Sequence, residues 1–346
     1  SYLTMSLLSV VPRTFATSLS SAFRSMMNNT AAASYATTAA TVKSLRTMTG
    51  APMMDCKKAL DETNGDIEAA QQWLRKKGMA TAQKKSGRST AQGLVTVAQN
   101  DRTVSLLELN SETDFVARNE VFQAAAKQFT DVLLDSNVPR GACSSTNVPS
   151  LVDGDDIKAL KAASGETIGD EVTKLIASVG ENCRLNRGAL LSVPEGKNGF
   201  VAHYIHNKMG EGMGQIGAAV AIEAEVPSEH EEAAQKLARD ICMHVAAASP
   251  KFISRESVPS DSLDKERALL MDQARSTGKP EEILKKIVEG RLSKFFEETT
   301  LLEQNFLLAP EGEEGKVKKF VDAFSKKSGS PFTIAGFLKL KVGESQ

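Results

Sequence analysis

Acidic residues are absent from the first 54 positions of this 346-residue chain. That stretch carries Arg13, Arg24, Lys43 and Arg46 among many Ser, Thr and Ala, with Leu7, Leu8, Val10, Val11, Phe15, Leu19 and Phe23 interspersed. Acid-poor, Ser-rich, Arg-bearing composition marks an organellar transit segment, because a positive amphipathic helix is drawn to import receptors and across a negative-inside potential. A secretory signal would have a longer apolar centre, less broken by Arg and Ser. Residues 1–41 are therefore expected to be a removable mitochondrial presequence, with a plastid address as the alternative. No stretch approaches the roughly 20 apolar residues that span a bilayer. Cysteine is sparse: Cys56, Cys143, Cys183 and Cys242 form no short-spaced pair. This argues against a disulfide framework or zinc site and points to a reducing compartment. Net charge is −1, which argues against a general nucleic-acid binder.

Several chemical signatures are also missing. There is no G-x-x-x-x-G-K-[ST] loop, so the chain is not expected to bind GTP itself. No Ser-His-Asp or Cys-His order and no carboxylate pair in a Gly-rich setting stands out as catalytic. Gly212-Met213-Gly214-Gln215-Ile216-Gly217 matches G-x-G-x-x-G literally. A dinucleotide fingerprint needs a helix N-terminus after it, whereas Ala218 to Val226 alternate as a strand. The glycines are read as a hairpin loop, which disfavours a nicotinamide enzyme. His203 and His206, three apart on a strand, face opposite sides and suit no shared metal. His244 shares a helical stripe with Leu237, Ile241, Val245 and Ala248 and reads as a hydrogen-bonded core histidine. No cofactor or resident metal is expected.

What is present has the length and composition for a sizeable core and two or three domains. Residues 42–80 read as three short helices. Val42 to Met48 is followed by the turn Thr49-Gly50-Ala51-Pro52; Met53 to Thr63 ends at Asn64-Gly65. Asp66 then caps a helix with Ile67, Ala70, Trp73 and Leu74 on one face, closed by Arg75-Lys76-Lys77 and Gly78. Residues 81–92 form a basic linker with Lys84, Lys85 and Arg88, read as a solvated tether rather than a nucleic-acid contact because no aromatics are interleaved.

Residues 93–196 and 197–346 then repeat a pattern. The first has a hairpin, Leu94–Ala98 with Thr103–Asn110, and a helix from Glu120. A Pro-bearing insertion from Ser136 to about Gly154 comes next, then a helix capped by Thr167 with Asp170, and a strand near Arg187–Val193. The second pairs Phe200–His206 with Gln215–Glu225, then a helix to Ala248 with Ser228 and Glu231 as a capping box. A helical hairpin, Ser262–Ser276 and Glu281–Glu298, turns at Gly278-Lys279-Pro280. A strand near Phe306, a helix Lys316–Lys326 and a strand Phe332–Val342 complete it.

The segment Glu112-Thr113-Asp114-Phe115-Val116-Ala117-Arg118-Asn119 joins the strand Val104–Leu109 to the helix from Glu120. Thr113, Asp114 and Asn119 can cap the orphan N–H groups of such a junction. Caps do not account for Phe115, which either folds under its own helix or is displayed to a partner.

TDFVARN in this context, together with LRTMTGAPMMDCKKAL upstream, resembles the elongation factor Ts family, of mitochondrial type given the presequence. The similarity covers most of residues 42–343. The resemblance implies an α+β fold: an N-terminal three-helix, UBA-like domain, then two similar α/β subdomains with antiparallel sheets and a coiled-coil protrusion over 262–298. It implies no enzyme but a guanine nucleotide exchange factor for the GTPase elongation factor Tu. Thr113, Asp114, Phe115 and Val116 would form the element that disturbs the partner's Mg²⁺/phosphate site. Arg46, Met53 and Met54 would contact its nucleotide-binding domain, and His206, in the family's Tyr-x-His position beside Tyr204, adds a further contact. At least one of Met53 and Met54 is expected in the small core, since adjacent helical residues diverge by about 100°. Pro52 replaces the usual Gly, Ser111 stands where Cys is frequent, and the chain stops soon after Val342 without the further helix of bacterial members. A ubiquitin- or peptide-capturing role for residues 42–80 is the competing binding-module reading.

Overall fold

The computed structural model describes residues 38–138, 141–142, 150–275 and 280–344. Most of the expected presequence, Cys143, about half of the Pro-bearing insertion and Gly278-Lys279 of the expected turn lie outside them. The chain divides into two compact units, 1–77 and 78–346, each described by itself.

The first unit is built from α1 (Ala39–Thr49), α2 (Met53–Glu62) and the start of α3 (Ile67–Lys85). Thr38 caps α1 in a reciprocal box with Thr41, and Gly50, at φ +67°, ends it. Asn64 and Gly65 take positive φ after α2, and Asp66 Oδ1 accepts Ala69 N–H at 3.0 Å. Val42, Leu45, Cys56, Ala59, Leu60, Ala70 and Leu74 form the core. Neither Met53 nor Met54 belongs to it: they are 51% and 73% exposed, because Cys56, Ala59 and Leu60 already occupy the inward stripe of α2. Contrary to expectation, neither methionine is buried in the small core.

Gly78 does not stop α3. The helix continues to Lys85, because Ala82 packs on the core of the second unit and Lys85 Nζ donates to the Gly180 carbonyl. Arg88 hydrogen-bonds Glu112, so the expected tether is partly helix and is pinned at Lys85 and Arg88.

In the second unit β1 (Gln92–Gln99), β2 (Thr103–Ser111), β5 (Cys183–Ser192), β6 (Gly199–Gly210), β7 (Met213–Ala224) and β8 (Phe332–Lys341) pair antiparallel. With β3 (Gly141–Ala142) and β4 (Ser150–Asp153) on β5 they make one eight-stranded sheet. Among the described strands only β3 runs parallel to its neighbour. The two expected sheets are thus continuous, joined where Val95 and Thr96 of β1 face Gly214 and Met213 of β7. The faces of the two halves share a core of Val95, Leu106, Leu191, Val201, Ala219 and Leu338.

Helices cover the outer faces. The first core takes α5 (Glu120–Asp135), α6 (Gly154–Lys158) and α7 (Ile168–Val179), centred on Phe122, Phe129 and Ile168. The other takes α8 (Glu231–Ala248) and α11 (Val317–Ser328). The pair α9 (Ser260–Arg275) and α10 (Glu281–Thr299) has its own seam of Leu270, Ala274, Leu284, Val288 and Leu292. Two local expectations fail. Ser228 sits inside a short 3₁₀ turn begun by Pro227, so it makes no cap for α8. The segment at Phe306 is no strand but a single bridge, Asn305 to Lys316, where His244 Nδ1 accepts Leu307 N–H in place of a ladder bond.

Candidate functional site

The site begins where β2 ends. Every residue of β2 is buried, so the strand is a fixed rail for the turn after it. Beyond Ser111 the chain enters α4 (Asp114–Ala117), a single helical turn. Ser111 Oγ donates to Thr113 O at 2.8 Å, and Thr113 Oγ1 caps α4 by accepting Val116 N–H at 3.4 Å. Asn119 Oδ1 then accepts Val121 N–H at 2.8 Å and caps α5. Gln123, one turn into α5, donates to Ala117 O at 3.3 Å and to Met209 O of β6 at 3.4 Å.

This framework separates four neighbouring side chains. Val116 and Ala117 point inward and are part of the core with Phe122 and Leu109. Asp114 and Phe115 point outward, and Phe115 is 80% exposed, the largest exposure among the large apolar side chains of the described residues. Asp114 lies 3.9 Å from Arg118 Nε, a loose surface pairing that leaves the carboxylate accessible. Of the residues expected to touch a partner, Val116 is therefore an anchor, and the displayed pair is Asp114 with Phe115.

Residues that sequence reasoning missed hold the turn from below. The Glu181 carboxylate accepts Thr113 N–H at 3.0 Å and the Thr113 hydroxyl at 2.8 Å. Glu112 accepts Asn182 N–H at 2.6 Å, and Asn182 Nδ2 donates to Arg88 O at 3.0 Å. The Asn182 N–H and then the Arg88 guanidinium hold the Glu112 carboxyl below its ordinary range. Cys183, next in line, is buried, and burial followed by the neighbouring carboxylates pushes its thiol up to about 12. It is an inert packing thiol, not a nucleophile.

The other expected contact residues belong to other elements than this turn. Arg46, Met53 and Met54 are exposed, and Met48, also exposed, belongs to the same unit. His206 is exposed on β6, its Nδ1 3.0 Å from the Tyr204 hydroxyl. His203 faces the other way and pairs with Gln99 at 2.6 Å; burial, then Arg239 and Lys208, lower its pKa. His244 is buried between Gln304 and Leu307 N–H, and burial lowers its pKa, as suits a neutral core imidazole. Gly212 to Gly217 run from the β6–β7 turn into β7. A Cβ at Gly214 would meet His206 O at 2.6 Å, so these glycines serve strand approach. Among the described residues no group of three His, Cys, Asp or Glu could hold a metal, and no helix is long and apolar enough to cross a membrane.

An exposed aromatic beside an accessible carboxylate, on a braced turn, is equipped for binding. Comparison with known proteins agrees. A family described as "Elongation factor TS" matches residues 112–344. Elongation factor Ts of Bartonella quintana is 43% identical over 307 residues, 89% of this chain and 93% of its own length. That of Gluconobacter oxydans is 46% identical over 310 residues, 89% and 92% respectively. That of Rhodospirillum rubrum is 43% identical over 313 residues.

Proposed function

This chain belongs to the elongation factor Ts family, the nucleotide exchange factors for elongation factor Tu, and from that premise we propose how and where it acts. It is an exchange factor in translation elongation and not an enzyme. A translational GTPase holds GDP through backbone N–H groups, a lysine and a Mg²⁺ bridging the phosphates. Phe115 enters the partner beside its magnesium site as a wedge. Asp114 helps displace the same region, and loss of the metal's coordination strips countercharge from the diphosphate. The observation that carries this reading is the exposure of Phe115 on a turn whose every other apolar side chain is buried.

Exchange is then a coupling between two ligands of one GTPase. Factor and GDP weaken each other's binding by the same ratio. A thousandfold faster release asks for about 4 kcal/mol off the barrier. Arg46, Met53 and Met54 contribute affinity; methionine suits such a surface, being apolar and adaptable. His206, oriented by Tyr204, adds a contact from β6.

The setting we infer is the mitochondrion, on the acid-poor composition of residues 1–41. A reporter carrying those residues should enter isolated mitochondria and be processed; uptake by plastids instead would reassign the address. The function itself is tested with purified residues 42–346 and a nucleotide-free Tu-type GTPase. The two should co-migrate and separate on addition of GDP and Mg²⁺. A GTPase that releases GDP at its intrinsic rate in the presence of this protein would refute the proposal.

A further inference from the structure

The β2–β5 ladder ends at Ser111 opposite Cys183. Its register nevertheless continues two steps beyond the backbone pairing: position 112 faces 182, and 113 faces 181. There the carbonyl acceptors are replaced by side chains. Glu112 takes the N–H of Asn182 and Glu181 takes the N–H of Thr113, so each segment supplies the acceptor for the residue facing the other. The two strands can splay apart, as the exit into α4 demands, without leaving either N–H unpaired.

Glu181 does one thing more. Its second oxygen lies 2.8 Å from Thr113 Oγ1. An ionised carboxylate only accepts, so the hydroxyl hydrogen is committed to Glu181 and its lone pairs are left for Val116 N–H, 3.4 Å away. The hydroxyl rotor that caps α4 is thus set from outside the turn. A single helical turn does not sustain itself, because nucleation fixes several dihedrals for one hydrogen bond. Its conformation must come from the cap and from the buried Val116 and Ala117.

We propose that Glu181 is a positioning residue for nucleotide exchange: by fixing Thr113 it holds α4 in the one conformation that presents Phe115. This rests on the reading of Phe115 as the group that enters the GTPase. Without Glu181 the ring is displayed as an ensemble. The ordering cost then falls on the step in which it enters, while surfaces elsewhere still dock.

The test is GDP release from the Tu-type GTPase as a function of factor concentration. Glu181→Ala should lower the maximal stimulated rate by about tenfold, the worth of one charge-assisted pair, and change the half-saturating concentration by less than about threefold. Glu181→Gln keeps one acceptor oxygen and should fall between, which preserves the comparison should the alanine variant fail to fold. Combined with Phe115→Ala, the substitution should cost nothing further, since it acts through the ring. Amide hydrogen exchange at Val116 should quicken in Glu181→Ala while β2 stays protected. A slow Phe115→Ala with wild-type rates for both Glu181 variants overturns the positioning role alone, as does an additive double variant. A wild-type rate for Phe115→Ala overturns the wedge reading beneath it.

Discussion

Phe115→Ala separates the folding role of a side chain from its use. An aromatic ring buries about 150–250 Å² when enclosed. Phe115 is 80% exposed, so its own fold gains little from it. Roughly 120–200 Å² of that ring is left for a partner, worth about 3–5 kcal/mol at ~25 cal/mol per Å². If the ring is buried only as GDP leaves, that energy appears in the rate, as a fall of about a hundredfold or more in stimulated release. The free protein should lose less than about 0.5 kcal/mol, under about 2 °C in melting temperature for a unit of this size. Rapid mixing with a fluorescent GDP analogue on the GTPase reads the first quantity and thermal unfolding the second. A wild-type maximal rate refutes the reasoning. So does a melting temperature lowered by many degrees, which would mean that the ring is held within its own subunit.

Replacing Met53 and Met54 together by Gln should leave stability within about 0.5 kcal/mol, since neither is in the core, and weaken binding to the nucleotide-free GTPase, measured by calorimetry. Arg187→Ala strands the fully buried Glu108 carboxylate, 2.8 Å from Arg187 Nε, and should cost about 3–5 kcal/mol in urea unfolding. Glu108→Gln combined with Arg187→Met should cost less than Arg187→Ala alone, because no charge is then left buried. Hydrogen bonds from Arg255 and then Lys316 hold Glu303 at about 2, against 4.5 for an ordinary glutamate. A depressed carboxylate stabilises the fold above its unfolded value and ceases to do so as pH falls through its folded one. The melting-temperature gap between wild type and Glu303→Gln should therefore be full at neutral pH, shrink below about pH 4.5 and close near pH 2.

Local signals in the sequence were reliable where one residue acts on its neighbours. Asp66, Asn119 and Thr167 cap the helices their positions announce. Signals failed where a distant surface intervenes. Arg75-Lys76-Lys77-Gly78 has the composition of a helix end, yet packing of Ala82 carries the helix on. β2 carries Ser105 and Glu108 on opposite faces, and neither meets solvent. Instead Ser105 donates to the Thr130 carbonyl at 3.1 Å and Glu108 is closed by Arg187, Asn110 and the Gly343 N–H. The Met pair misled because a small core was filled by Cys56, Ala59 and Leu60 without it. Phe115 and Asp114 were legible as residues, through their family pattern, but the display of Phe115 was not. Glu181 lies 68 positions from Thr113. Its one local trace is an acidic residue directly after the left-handed Gly180, before a strand. Only the β2–β5 register turns that trace into a contact.

An exchange element has to satisfy two opposed demands. Its wedge must be apolar enough to displace a metal-ordered region, yet stay out of its own core. It must also be stiff enough that the binding energy goes into distorting the partner and not into ordering itself. One exposed ring meets the first demand at little risk, being far below the several hundred Å² of contiguous apolar surface that drives association. Burial could meet the second only by hiding the ring. Here stiffness comes instead from polar braces beneath the turn: two carboxylates completing a strand register, with Val116 and Ala117 as the apolar anchor. Because those braces are ionised and hydrogen-bonded, they can sit at the rim of the sheet, where an apolar support would itself be exposed. Affinity can then be supplied by surfaces that bind the GTPase alike in every nucleotide state, while Phe115, in the role proposed for it, acts only where the states differ. By reciprocity that difference is the whole of the coupling to GDP.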